Sequence, residues 1–207
     1  YAAGVAAVVR RFSEVFRHYR INMVNTNKWY EGNSAYYGKI HGWKRHDAWQ
    51  LHQILQSYDL IRDSGVLLPD QLETIDHDLI AYARDYLIDG FRHPHLSVPG
   101  YTGGDGRSLL LADPHIQDHG EAWWCIAACG ALLKDSETLA LIVGLFEDML
   151  DPAAGIFHED GTFYECAADY QQGLLQGLSG IPEVIRGNLD GDIYANPKCA
   201  LLERCYT

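Results

Sequence analysis

The chain has 207 residues, 47% of them hydrophobic, so it is long and apolar enough to bury the core of a folded domain. Its 28 acidic and 16 basic side chains give a formal charge of −12, which excludes a nucleic-acid-binding protein held by phosphate contacts. The longest apolar stretches, 5–9 and 139–145, fall well short of the roughly 20 residues that cross a bilayer, so we expect no membrane partner.

Apolar residues recur at helical spacing in six segments, and clean two-residue alternation is hard to find, which predicts an all-α protein. Helices are expected over about 5–19, 45–63, 70–88, 119–133 and 136–150, and from about 165 towards 178. Ser136 is the expected N-cap of the fifth helix. Alternating short and long connections are typical of stacked antiparallel αα-hairpins, as in toroids and solenoids.

The long connection before the fourth helix is rich in glycine and proline, and such loops are usually functional or mobile. Its Gly103-Gly104-Asp105-Gly106 run lacks the Lys-Ser/Thr of a phosphate loop, and His93, His95 and His115 have no companion at a recognisable metal spacing. We therefore predict no cofactor and no metal. Cys125 and Cys129, four apart in an apolar run, are expected to be buried thiols.

Two polar clusters stand at predicted helix entrances. In the first, Asp118 and His119 either cap the fourth helix or belong to a site. The second runs from Glu159 to Glu165 and is followed by Tyr170. Taken singly, Tyr170 is more typical of a core aromatic whose hydroxyl is tied to a neighbour.

A basic stretch runs from Lys39 to Arg45 and contains Trp43. One interpretation is a solvated helix start. The other is a subsite for a sugar carboxylate, with Trp43 as a stacking platform.

Three motifs, in order along the chain, resemble one family. They are Tyr37-Gly-Lys-Ile-His-Gly-Trp43 with the following helix ending in Tyr58-Asp-Leu-Ile61, then Asp118-His-Gly120, then Asp160-Gly-Thr-Phe-Tyr-Glu165 with Tyr170. Together they are similar to the toroid segment of heparinase II/III-type polysaccharide lyases and their alginate lyase relatives. The resemblance covers roughly residues 37–180.

This resemblance implies that residues 1–207 form a single helical domain of antiparallel αα-hairpins, part of an (α/α) toroid in a longer lyase. It implies β-elimination of an acidic polysaccharide or oligosaccharide containing uronate, and favours a secreted or periplasmic location. Tyr170 takes the position of the catalytic Tyr and His119 that of the residue facing the carboxylate. The substrate-binding residues are expected to be Asp118, Glu165, Lys39, Trp43 and Arg45. Asp118 stands where the family often has Asn, and an ionised Asp there would repel the substrate.

The chemistry explains the residue types. Removal of the C5 proton of a uronate adds charge beside a carboxylate, so a cation or strong donor must lie there. A Tyr with an ordinary pKa near ~10 acts as a base near neutrality only beside a positive group.

Two other functions stay open. One is a glycoside hydrolase on a similar helical barrel, with Asp118 and Glu165 as its two carboxylates. The other is a carbohydrate-binding or assembly fragment without turnover. Because six helices make about half of a toroid, we also expect exposed apolar surface and self-association.

Overall fold

The computed structural model describes residues 1–20, 38–41, 44–92, 119–164 and 166–205, without the side chains of 44, 45 and 89–92. The chain divides into two compact units, 1–97 and 98–207, and each is described by itself. The expected single domain stays a prediction.

The first unit contains four α-helices among its described residues. Helix α1 spans Ala2–Val15 and continues as a 3₁₀ turn, Phe16–His18. Helices α2, α3 and α4 span Lys44–Arg62, Pro69–Ile75 and Tyr82–Arg92. Helix α1 packs against α2 and α3, and α2 packs against α4. The fully buried Phe16 ring lies edge-on to Tyr82 and Tyr86, each with its centroid 5.7 Å away.

The third predicted helix differs from prediction in its interior. A π-helical segment, Asp76–Ala81, separates α3 from α4. Asp76, its first residue, accepts hydrogen bonds from the Tyr58 hydroxyl (2.8 Å) and the Arg62 guanidinium (3.4 Å). Apolar spacing does not distinguish a π segment from an α-helix over so short a stretch, so the sequence predicted one continuous helix.

The second unit has α5, spanning His119–Leu133, at its centre. Helix α6 spans Ser136–Met149, α7 spans Ala168–Ile185 and α8 spans Cys199–Cys205. Helix α5 packs most extensively on α7 and also contacts α6, and α8 lies against α7. Ten residues of α5 are buried, which explains its nearly continuous apolar sequence.

Glycines allow α5 and α7 to approach closely. A Cβ atom added at Gly177 would overlap the backbone of Gly120, and one added at Gly120 would overlap the Leu174 carbonyl. A Cβ at Gly180 would overlap the Trp124 ring. No larger residue fits at Gly120 or Gly177 without separating the two helices, and one at Gly180 would displace the Trp124 ring.

In this unit, one predicted N-cap is wrong, and both ends of α7 differ from prediction. The N-cap of α6 is Asp135 and not Ser136, because the Asp135 carboxylate accepts hydrogen bonds from the amides of Glu137 and Thr138, each 3.1 Å long. Helix α7 begins at Ala168, after Cys166 adopts a left-handed conformation with φ of 51°. It continues past Leu178 because Ile181, Pro182 and Ile185 extend its buried face.

The all-α prediction is confirmed for the described residues, in which the only β-pairing is two isolated bridges, Phe157 with Phe163 and Arg186 with Leu189. Cys125 and Cys129 are buried free thiols, as expected, and burial raises the pKa of Cys125. Within the described part of the chain, no helix has both the length and the apolar character needed to cross a bilayer.

Candidate active site

His119 is the first residue of α5 and is fully buried. Its ring lies nearly perpendicular to that of Trp123, one turn further along α5, with the centroids 5.4 Å apart. The first backbone amides of α5 have no partner within the helix, and its dipole makes this end positive. His119 therefore stands at a helix end that favours a negatively charged ligand.

Tyr170 lies in the first turn of α7 and is 50% exposed. The interpretation of Tyr170 as a core aromatic is therefore wrong. A half-exposed phenol is open to a ligand, as a catalytic tyrosine must be.

The packing of α5 on α7 brings the two residues to the same end of this helix pair. Gly120, next to His119, lies directly against the Leu174 carbonyl. Tyr170 is four residues before Leu174, which is about 6 Å along the axis of α7 at 1.5 Å per residue. His119 and Tyr170, which are 51 positions apart in sequence, therefore lie about one helix turn apart along this helix pair.

A turn with defined hydrogen bonds precedes α7 and contains the second polar cluster. The Asp160 carboxylate accepts a hydrogen bond from the Thr162 amide (2.9 Å), which lowers the pKa of Asp160. Gly161 has φ of 88°, a conformation that favours glycine. The His158 amide donates to the Thr162 carbonyl (2.8 Å) and closes the turn.

The side chain of Gln171 ties this turn to α7. Its Oε1 accepts from the Phe163 amide (3.0 Å), and its Nε2 donates to the carbonyls of Gly161 (3.4 Å) and Cys205 (3.2 Å). We call this arrangement the Gln171 clamp. The sequence carried no signal for it, because a glutamine next to Tyr170 is unremarkable until its partners are known.

Lys39, in the first unit, makes contacts within the protein. Its ammonium donates to the carbonyls of Arg17 (2.8 Å) and Phe16 (3.4 Å) and to the Tyr82 hydroxyl. It also lies 4.6 Å from the Tyr82 ring centroid and 5.5 Å from that of Phe16. Three N–H donors thus have three acceptors. Binding of a sugar carboxylate by Lys39 stays a prediction and would require these bonds to be exchanged.

Asp47 organises the backbone around Lys39, a role that the sequence did not reveal. This fully buried carboxylate accepts hydrogen bonds from the amides of Lys39 (2.6 Å), Ile40 (3.1 Å) and His41 (2.7 Å), and from the Tyr86 hydroxyl (2.7 Å). Burial and the charge of Asp47 raise the pKa of Tyr86 far above its ordinary value. The Gly-Lys-Ile-His segment is therefore held by a buried charge.

The remaining predicted site residues are not described. Trp43, Asp118 and Glu165 lie outside the described residues, and Arg45 belongs to α2 but its side chain lies outside them. Their assigned roles stay predictions.

Two further features of the described residues bear on chemistry. A groove of about 560 Å³ between α1 and α2 is lined mainly by apolar and uncharged residues, including Val5, Val8, Gln53 and Ile54. Apart from Tyr1, none of its lining residues is an acid or a base. Among the described residues, no three His, Cys, Asp or Glu side chains are grouped so that they could hold a metal ion.

Comparison with protein-family models, with curated proteins and with solved structures gives no match.

Proposed function

We propose that this chain is the helical part of a polysaccharide lyase that cleaves uronate-containing polysaccharide by β-elimination. Tyr170 transfers the proton, and His119 binds the uronate carboxylate. One observation carries the proposal: an exposed phenol stands in the first turn of α7, at the end of the α5–α7 pair where His119 begins α5.

The proposed reaction uses one group for two proton transfers. The Tyr170 oxygen takes the C5 proton of the uronate, which requires a positive group beside the phenol. The electron pair forms the C4–C5 double bond, and the C4–O glycosidic bond breaks. Tyr170 then gives the proton to the leaving oxygen, so the enzyme returns to its starting state. His119 and the first amides of α5 stabilise the charge that develops on the carboxylate.

Burial sets a condition on this mechanism. Because the His119 ring is fully buried, a uronate carboxylate reaches it only when substrate binding uncovers the ring. Water exclusion around this group would strengthen its interaction with the carboxylate.

The order of the contacts between α5 and α7 supports a toroid. Gly120 meets Leu174, and Trp124, one turn later, meets Gly180, about two turns later. The two helices therefore run in the same direction, and α6, which lies between them in sequence, packs on α5 after a two-residue connection. Alternating parallel inner helices and returning outer helices are the architecture of an (α/α) toroid.

Product chemistry tests the proposal. The protein is incubated separately with alginate, heparan sulfate, hyaluronan and polygalacturonate, while ultraviolet absorbance and reducing ends are both measured. A lyase produces an unsaturated uronate, so both signals rise together. New reducing ends without absorbance would establish hydrolysis instead, and binding without any product would establish a carbohydrate-binding protein.

A further inference from the structure

We propose that Tyr164 forms a stacking subsite for an uncharged sugar beside Tyr170. The inference deepens the proposed function and rests on it, since it assumes that a polysaccharide lies across the start of α7. It concerns a residue to which the sequence assigned no separate role.

The Gln171 clamp connects the two tyrosines. Tyr164 follows Phe163, whose amide donates to Gln171 Oε1 (3.0 Å), and Tyr170 precedes Gln171. The Gln171 side chain therefore spans the distance between the backbone of Phe163, next to Tyr164, and the backbone of Gln171, next to Tyr170. Both rings are exposed, Tyr164 by 38% and Tyr170 by 50%.

Tyr164 is held in position before any ligand binds. Its amide donates to the Ile156 carbonyl (3.0 Å), and its ring lies edge-on to the buried Phe163 ring, with the centroids 4.7 Å apart. Ordering a side chain on binding costs free energy, and a ring fixed in advance avoids much of that cost. A rigid, partly exposed aromatic ring is suited to packing against the C–H face of a pyranose.

The charges around the turn select the kind of sugar. Glu159, Asp160 and Asp169 are all exposed in the turn and in the first turn of α7. The Thr162 amide lowers the pKa of Asp160, so this carboxylate is ionised at neutral pH. Arg204, whose backbone lies against Gly161 of the same turn, is also exposed, but the three carboxylates outnumber this cation. Carboxylates accept hydrogen bonds from sugar hydroxyls but repel a second carboxylate, so an uncharged sugar fits here better than a uronate.

The test compares Tyr164→Ala with Tyr164→Phe, which keeps the ring and removes only the hydroxyl. Binding of cellohexaose, chitohexaose and a mannuronate hexamer is measured by calorimetry. We expect the alanine variant to bind whichever neutral hexasaccharide the wild type binds about tenfold more weakly than the wild type does. The affinity of the phenylalanine variant should stay within about twofold of the wild-type value. Trp49→Ala removes a 58% exposed ring from α2 and is the control, with unchanged affinity expected.

Three results would overturn the inference: no binding of either neutral hexamer by the wild type, equal affinity of Tyr164→Ala and wild type, or equal loss in both Tyr164 variants. If Tyr164→Ala does not fold, the Tyr164 ring resonances of the wild-type protein are followed by NMR during titration, and no shift would also overturn it. Because these measurements need no turnover, loss of the lyase assignment and loss of the subsite are distinguishable.

Discussion

At the scale of single residues, Lys39 shows how intramolecular contacts occupy a side chain that the sequence assigned to substrate. Its acceptors come from Phe16 and Arg17, more than twenty residues earlier, and from Tyr82, more than forty later. Asp47 holds the same segment from the other side through three backbone amides. No local pattern reveals such partners, so the basic stretch was compatible with both a solvated and a binding interpretation.

Replacing Lys39 separates a structural role from a substrate role. We expect Lys39→Met to lower the free energy of unfolding by about 2 kcal/mol, because it removes three hydrogen bonds, two of them partly buried, and takes the cation away from the aromatic rings. Urea denaturation followed by circular dichroism measures this change. Arg10→Met, an exposed position on α1, should change stability by less than about 0.5 kcal/mol. Unchanged stability together with weaker saccharide binding would instead assign Lys39 to the substrate.

Tyr86 predicts a loss of stability in alkali. Burial and the Asp47 carboxylate raise its pKa, so the folded protein holds the phenolic proton more tightly than the unfolded chain does. The resulting stabilisation is complete below about pH 10, the ordinary tyrosine pKa, and is lost as the pH rises above it. The free energy of unfolding, measured in urea from about pH 8 to about pH 11, should therefore fall less steeply with pH for Tyr86→Phe than for wild type. Tyr19→Phe, at a 40% exposed ring, should retain the wild-type slope, and parallel curves for wild type and Tyr86→Phe would refute this.

At the scale of elements, the sequence predicted helices where burial follows a regular spacing. The bounds of α5 agree with prediction because its apolar run begins and ends sharply. Each error has a local cause. Asp135 caps α6 one residue before the expected cap, a π segment interrupts the third predicted helix, and α7 continues through Pro182 because its buried face extends past Leu178. Gly120 and Gly177 were unremarkable in sequence, because a close approach of two helices depends on both partners.

The glycine contact between α5 and α7 has a matched control within α7. Gly177→Ala introduces a Cβ that overlaps Gly120, and we expect a loss of about 3 kcal/mol or more in the free energy of unfolding. Gly173→Ala adds a Cβ with nothing within 4 Å and should be neutral or stabilising by up to about 1 kcal/mol. Thermal and urea denaturation of the two variants provide the comparison. Equal changes in the free energy of unfolding for the two variants would show that α5 and α7 do not approach closely at Gly177.

At the scale of the whole molecule, the sequence supported the all-α class and the start of α5 at His119, but it placed the start of α7 near Glu165 instead of at Ala168. It could not show that His119 is buried or that Tyr170 is exposed, because exposure depends on which helices pack together. The toroid, the uronate substrate and self-association remain predictions. Self-association would have to overcome a net charge of −12 on each copy, so it should strengthen with added salt.

The Tyr170 hydroxyl performs both proton transfers of the proposed reaction, and replacing Tyr170 with phenylalanine removes that group alone. The ultraviolet assay on the uronate polymer that the wild-type protein degrades should show a loss of at least about a hundredfold in kcat for Tyr170→Phe, with an unchanged unfolding midpoint. Tyr194→Phe, at another exposed tyrosine of the same unit, should retain activity. Elimination at the wild-type rate by Tyr170→Phe would contradict the mechanism.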